Sequence, residues 1–197
     1  MSKASTQWEK ANISYQNYVN YIKRKIKKFE LHLIDLLYIR NFKGGNASIH
    51  EEETSVDTKL KEYSKHLEEI DREFGNKQLR ELSEEELESL KKKVQSFIQL
   101  TKNRMTAIDG FKSSYASALL HFYFPDLIPI LDRRVLNGVG IEVEKNSQGQ
   151  VINIEEHYPE LIDKFFDYLK KNPTKSLRDY DKECFTKPIR NKKTASV

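Results

Sequence analysis

Residues with the chemistry to do work concentrate in one stretch, Ile108 to Val135, which reads IDGFKSSYASALLHFYFPDLIPILDRRV. Its end delivers a carboxylate, Asp132, behind Pro129-Ile130-Leu131 and directly before Arg133 and Arg134. Proline at 129 favours an extended approach, so Asp132 falls where a new helix starts. Aspartate is a preferred N-cap, and its carboxylate would accept from the amides of Arg134 or Val135. Arg133 and Arg134 are either phosphate clamps or surface charges. At the other end, Asp109-Gly110 is a tight turn signal, followed by Lys112 and Ser114. Ser114 has no evident triad partners, so serine nucleophile chemistry has no support.

Other reactive groups narrow the choice. The histidines at 32, 50, 66, 121 and 157 lack metal-ligand spacing. His121 lies in the apolar run and reads as a satisfied buried histidine. One cysteine, Cys184, excludes an internal disulfide framework and a cysteine zinc cluster. Gly44-Gly45-Asn46 has no preceding strand and no Gly-Lys-Ser/Thr, so it is not a phosphate loop. No metal and no cofactor is expected.

The elements that must position Asp132 are helical. Trp8, Ala11, Tyr15, Tyr18, Ile22, Ile26, Phe29, Leu33 and Leu36 recur every three or four residues, which predicts one long helix over 7–40. The run Lys23, Arg24, Lys25, Lys27, Lys28 falls opposite this stripe, either as phosphate contacts or as a solvated face. A loop is expected over 41–54. Val56, Leu60, Tyr63, Leu67, Ile70 and Phe74 predict a second helix over 55–74, ended by Gly75. Ser83 and Glu86 form a capping box for a helix to about 101. A short helix at 102–108 and a core helix at 113–124, ended by Pro125, follow. Ile141/Val143 and Val151/Ile154 flank a glycine-containing stretch that fits a small β-hairpin near 141–154 or a plain loop. Helices are expected again at 158–171 and from 177, capped by Ser176.

Composition agrees with an all-α chain. Of the 197 residues, 32% are charged and 38% hydrophobic, with 7 Gly and 5 Pro, too few turn residues for a sandwich or a doubly wound sheet. The net charge of +4 reads first as a solvated helical surface, and a basic surface would also suit a polyanionic partner. No apolar run reaches the roughly 18 residues of a membrane span, and the N-terminus lacks a secretory core, so no membrane partner is expected and the cytoplasm is the expected location.

The central stretch resembles the helix-hairpin-helix DNA glycosylase superfamily. Members read approximately as an apolar residue, any residue, Gly, an apolar residue, Gly, any residue, Lys, any residue, Ala, then an apolar helix, a proline-containing connection and Val-Asp. Here the residues are Ile108, Asp109, Gly110, Phe111, Lys112, Ser113, Ser114, Tyr115 and Ala116, with Pro129-Ile130-Leu131-Asp132 as the proline-to-acid segment. SYASALLHFYFPDLIPILDRRV is most similar to small uncharacterised bacterial proteins related to oxoguanine glycosylases. Their C-termini carry Leu-Arg-x-x-Asp-Lys, matched by Leu177-Arg178-Asp179-Tyr180-Asp181-Lys182. The resemblance covers about 105–136, is thin at 176–185 and is not evident before residue 100.

The resemblance implies a glycosylase-like helix-hairpin-helix core over 101–186; the apolar spacing adds an N-terminal bundle of long amphipathic helices over 1–100 packing on it, and the composition a basic tail at 187–197. It implies DNA as partner and base excision, with Asp132 as the catalytic carboxylate that stabilises oxocarbenium-like charge or positions water. Gly110, Lys112, Ser114, Arg133 and Arg134 would meet DNA, and Tyr115 or Phe111 would line the base pocket. The family's nucleophilic lysine position is Ser114 here, so no lyase activity is expected through it. The second hairpin glycine is Lys112, which replaces amide contacts by a point charge. These departures leave an alternative, a catalytically inactive member of the fold that binds DNA, or binds a protein through its N-terminal helices.

Overall fold

A stripe that predicts one helix is carried by two. In the computed structural model, which describes residues 3–45 and 47–188, α1 (Lys3–Ile22) ends at the basic run and α2 (Leu33–Phe42) starts after ten intervening residues. The reason is Lys25. Its ammonium donates to both oxygens of Asp35 at 3.0 Å and to the Tyr123 hydroxyl at 3.1 Å. Asp35 also accepts from the Tyr18 hydroxyl and the His32 amide, each at 2.9 Å. A straight helix would hold positions 25 and 35 about 15 Å apart. The pair meets only if the chain turns, and the turn sends α2 back antiparallel along α1. Tyr18 then stacks on Tyr38, and Tyr15 packs against Phe42. The basic run is therefore the connection between two helices rather than the face of one. Ile26, in phase with the stripe, is fully exposed.

Downstream helices follow their apolar spacing and caps. The segment α3 (Glu53–Phe74) buries all six residues of its predicted stripe. In α4 (Glu84–Gln99) the Ser83 hydroxyl accepts from the Glu86 amide at 3.2 Å, and the Glu86 carboxylate accepts from the Ser83 amide at 3.0 Å. The helix expected at 102–108 is absent. There, Thr106 donates its hydroxyl to the Leu100 carbonyl, and the Asn103 side chain accepts from the Met105 amide, so side chains take over backbone partners in a series of turns. The chain then makes the tight turn at Gly110 (φ 78°), closed by a single bridge between Ile108 and Phe111.

Helix α5 (Ser113–Tyr123) is buried on nearly every side and forms the centre of the core. The connection opens with a turn at 124–127 that exposes Asp126, then runs buried and extended over 128–131, where its backbone groups find side-chain partners. The Leu131 amide donates to Ser117 Oγ at 3.0 Å, and the Pro129 carbonyl accepts from the Tyr158 hydroxyl at 2.7 Å. The remaining helices are α6 (Arg133–Val139), α7 (Tyr158–Lys171) and α8 (Leu177–Thr186). Two 3₁₀ turns, Leu79–Glu81 and Ile154–His157, complete the regular structure. The hairpin envisaged near 141–154 reduces to one bridge, Lys145 to Val151, around a turn at Gly149.

The fold is all-α among the described residues. One hydrophobic cluster runs without interruption from Tyr15 on α1 to Cys184 on α8. Helices α6 and α8 approach so closely that a Cβ on Gly138 would lie 2.3 Å from the Cys184 carbonyl oxygen. No helix among the described residues is long and apolar enough to cross a membrane. The basic tail expected at 187–197 lies, from residue 189 onward, outside the described residues.

Removing one partner of a buried ion pair strands the other charge, at a cost of about 3–5 kcal/mol. Lys25→Ala is expected to lose that much stability in chemical denaturation. Ile26→Ala, one residue away but in solvent, should change stability by no more than about 0.5 kcal/mol.

Candidate functional site around Asp132

Asp132 is both a cap and a member of a charged cavity. Its Oδ1 accepts from the Arg134 amide at 2.9 Å, which closes the start of α6. Its Oδ2 accepts from the Lys43 ammonium at 2.7 Å. Lys43 stands where α2 ends, before Gly44 and Gly45, whose φ values of 90° and 73° suit glycine. The Asp132 and Lys43 side chains are 24% and 11% exposed, so the pair meets solvent only through the cavity mouth. Burial pushes the Asp132 carboxyl up, but the Lys43 charge, the Lys43 hydrogen bond and the Arg134 amide outweigh it and hold it below the usual carboxylate range.

The cavity has a volume of about 690 Å³ and lies between α1, the end of α2, the start of α6, and α8. Five cations line it, Lys10, Lys43, Arg133, Arg134 and Arg178, against two carboxylates, Asp132 and Asp181. Arg178 donates through Nη1 to Asp181 Oδ2 at 2.6 Å, and its guanidinium lies 3.9 Å from the centre of the Trp8 ring. Asp181 is 2% exposed. Burial pushes its carboxyl up to about 6, the nearby Arg178 charge opposes the rise, and the Asp132 charge adds to it.

The residues singled out from sequence divide into two groups. Asp132, Arg133 and Arg134 meet at this cavity, with Arg134 stacked 4.9 Å from the Phe185 ring and Arg133 donating to the Gly149 carbonyl at 2.7 Å. Gly110, Lys112 and Ser114 do not line it. Gly110 is pressed against the 47–50 segment, where a Cβ would sit 2.1 Å from the Ser48 carbonyl oxygen. The neighbouring Asp109 amide donates to Glu51 Oε1 at 2.7 Å, and Lys59 holds the other Glu51 oxygen at 2.5 Å. An internal carboxylate thus occupies the hairpin amide. Lys112 is exposed at the start of α5. Ser114 donates to the Leu131 carbonyl at 2.8 Å and so fixes the segment that delivers Asp132. Phe111 is core, edge-on to Tyr63 with ring centres 5.7 Å apart, and Tyr115 is half-buried; neither lines the cavity.

His121 is buried with one nitrogen on the Ile128 carbonyl at 2.8 Å and the other, Nε2, without a partner among the described residues. Burial lowers its pKa to about 3, so it is neutral at pH 7. Among the described residues no group of three or more His, Cys, Asp or Glu is disposed to hold a metal ion.

Four cavity residues escape a sequence reading: Lys43, Trp8, Arg178 and Asp181. Arg178 and Asp181 had a signal, the i, i+3 spacing inside the Leu-Arg-x-x-Asp-Lys pattern, which on a helix puts both on one face. Comparison with family models, curated proteins and solved structures finds no match to this chain.

Chemically, the site combines an ionised carboxylate with an excess of fixed cations. It is suited to an anionic ligand on which positive charge develops. Two buried groups act on its pH behaviour in opposite directions: Asp181 binds its proton more tightly folded than unfolded, and His121 binds its proton more weakly. Acidification from pH 7 to pH 5 therefore favours the folded state through Asp181 and disfavours it through His121, whereas the stability due to ionised Asp132 is lost only below about pH 4. The expected result is a difference between two proteins: on going from pH 7 to pH 5 the melting temperature of the wild type should shift upward by about 3 °C relative to that of Asp181→Asn, in which His121 acts alone. Identical pH profiles for the two proteins would exclude Asp181 as the titrating group.

Proposed function

We propose that the chain is a DNA-binding protein of the base-excision glycosylase type, monofunctional, hydrolysing an N-glycosidic bond with Asp132 as its catalytic carboxylate. The observation that carries this reading is the ionised Asp132, capped on one oxygen and turned into a cavity with more cations than carboxylates. The bridge between Ile108 and Phe111, positive φ at Gly110, and the passage through α5 to an acid opening α6 support a helix-hairpin-helix core.

In the proposed reaction the target nucleotide leaves the stack and its sugar comes to rest beside Asp132. The bond between C1′ and the base nitrogen breaks, and its electron pair leaves with the base. Positive charge then spreads over C1′ and the ring oxygen, where the Asp132 carboxylate stabilises it. Water adds to C1′, and the proton it loses passes through solvent to the base nitrogen that left with the electron pair, which completes hydrolysis. Arg133, Arg134 and Lys43 face the flanking phosphates, and exposed Lys112 extends the positive surface. Ser114 acts through the backbone by holding Leu131, not as a nucleophile.

A second reading is a catalytically inactive member of the fold that binds DNA or protein. Two observations favour it. The Glu51 carboxylate already occupies the Asp109 amide. Ile13 on α1, with Ile34 and Leu37 on α2, leaves apolar side chains in solvent on the N-terminal helices.

Asp132→Asn is expected to lower base release from duplexes carrying damaged bases at least about 100-fold while leaving DNA affinity within a few-fold. Full activity in that variant would overturn the mechanism. Neutralising three phosphates would make affinity fall roughly 40-fold between about 50 and 200 mM salt. Absence of DNA binding at the lower salt would leave only protein binding.

A further inference from the structure

Two arginines on the cavity wall carry their guanidinium carbons over two neighbouring aromatic rings. Arg178 sits over Trp8 and Arg134 over Phe185, and the Trp8 and Phe185 ring centres are 5.6 Å apart. Stacking fixes the plane of a guanidinium and leaves its edge for hydrogen bonds in that plane. On Arg178 the edge is only half used. Nη1 holds Asp181, while Nε and Nη2, the two parallel side-on donors, have no partner among the described residues. That fork has the spacing of two oxygens on one oxyanion. Asp181, 2% exposed, keeps Oδ1 unpartnered in the same place. Buried donors and acceptors left unpaired are costly, and here three of them belong to one ion pair on one cavity. The excess of cations over carboxylates selects for negative charge.

We propose that the Arg178 fork, backed by Arg134 and Lys43, is an oxyanion subsite that takes a phosphate group, as a monoester or as a phosphodiester of nucleic acid. Asp181 positions the fork through Nη1. Below about pH 6 Asp181 holds a proton, which removes its negative charge from beside the bound anion. The subsite shares the Asp132 cavity with the reading above but needs no bond cleavage there.

Trp8 is the single tryptophan of the chain, so its emission reports on this subsite alone. Inorganic phosphate, titrated at constant ionic strength against chloride, is expected to change Trp8 emission saturably. A short single-stranded oligonucleotide should do the same. Arg178→Lys, which keeps the charge but loses the fork, should weaken phosphate binding about tenfold. Arg134→Gln leaves the Arg178–Asp181 pair intact, retains the backbone amide that caps Asp132, and should weaken binding about threefold or more. A 5′-phosphorylated oligonucleotide that binds better than its unphosphorylated form identifies a monoester, and equal binding identifies a diester. An emission that does not respond to phosphate, or affinities unchanged in both arginine variants, would overturn the subsite. Asp132→Asn keeps the phosphate response, so loss of base release with that response intact counts against hydrolysis alone.

Discussion

Lys25 and Asp35 meet inside the protein with almost no exposure, and two buried charges persist there because each is fully partnered. Asp35 accepts from Lys25, Tyr18 and the His32 amide, and Lys25 also reaches Tyr123 on the central helix. The pair ends α1, opens α2 and ties both to α5. Its effect reaches the far end of the arm. In one straight helix Trp8 and Lys43 would be about 50 Å apart. With the chain folded back at Lys25, both line the same cavity. Local electrostatics at a helix break thus assembles a site at the other end of the helices it separates.

At that site one carboxylate serves two purposes. Capping α6 fixes the position of Asp132, and Lys43 keeps it charged. A short distance away Asp181 has the opposite electrostatic fate, being so buried that its proton is held to about pH 6. Two acids of the same type therefore sit in different protonation regimes because one faces an ammonium and the cavity mouth, while the other is shielded behind an arginine.

Much of this architecture was legible in the sequence, for reasons that are local. Helix α3 showed its stripe, α4 its capping box, α8 its Ser176 cap, and Pro125 and Pro129 punctuated the approach to Asp132. The break at residues 23–32 was hidden because Ile26 and Phe29 continue the apolar spacing through it. Only the depth of Lys25 betrays it, and depth is a tertiary property. The turns at 102–108 were hidden because Asn103 and Thr106 compete for the backbone in ways that spacing does not record. Asp132, Arg133 and Arg134 were legible as consecutive residues. Lys43, Arg178 and Trp8 come from elements 89, 46 and 124 positions away along the chain, and join them only once α1, α2 and α8 have packed.

The segment between α2 and α3 brings these threads together. At its start Lys43 satisfies the Asp132 carboxylate, and near its end Glu51 satisfies the Asp109 amide. One loop thus presents a cation to the acid and an anion to the hairpin. A ligand that reaches either position exchanges partners rather than gaining one, and its contacts count only by the amount they exceed the internal ones. Weak, diffuse anions gain little from such an exchange. A ligand able to engage both ends at once would have to displace two internal contacts, Lys43 from Asp132 and Glu51 from the Asp109 amide, that stand eight positions apart on one loop.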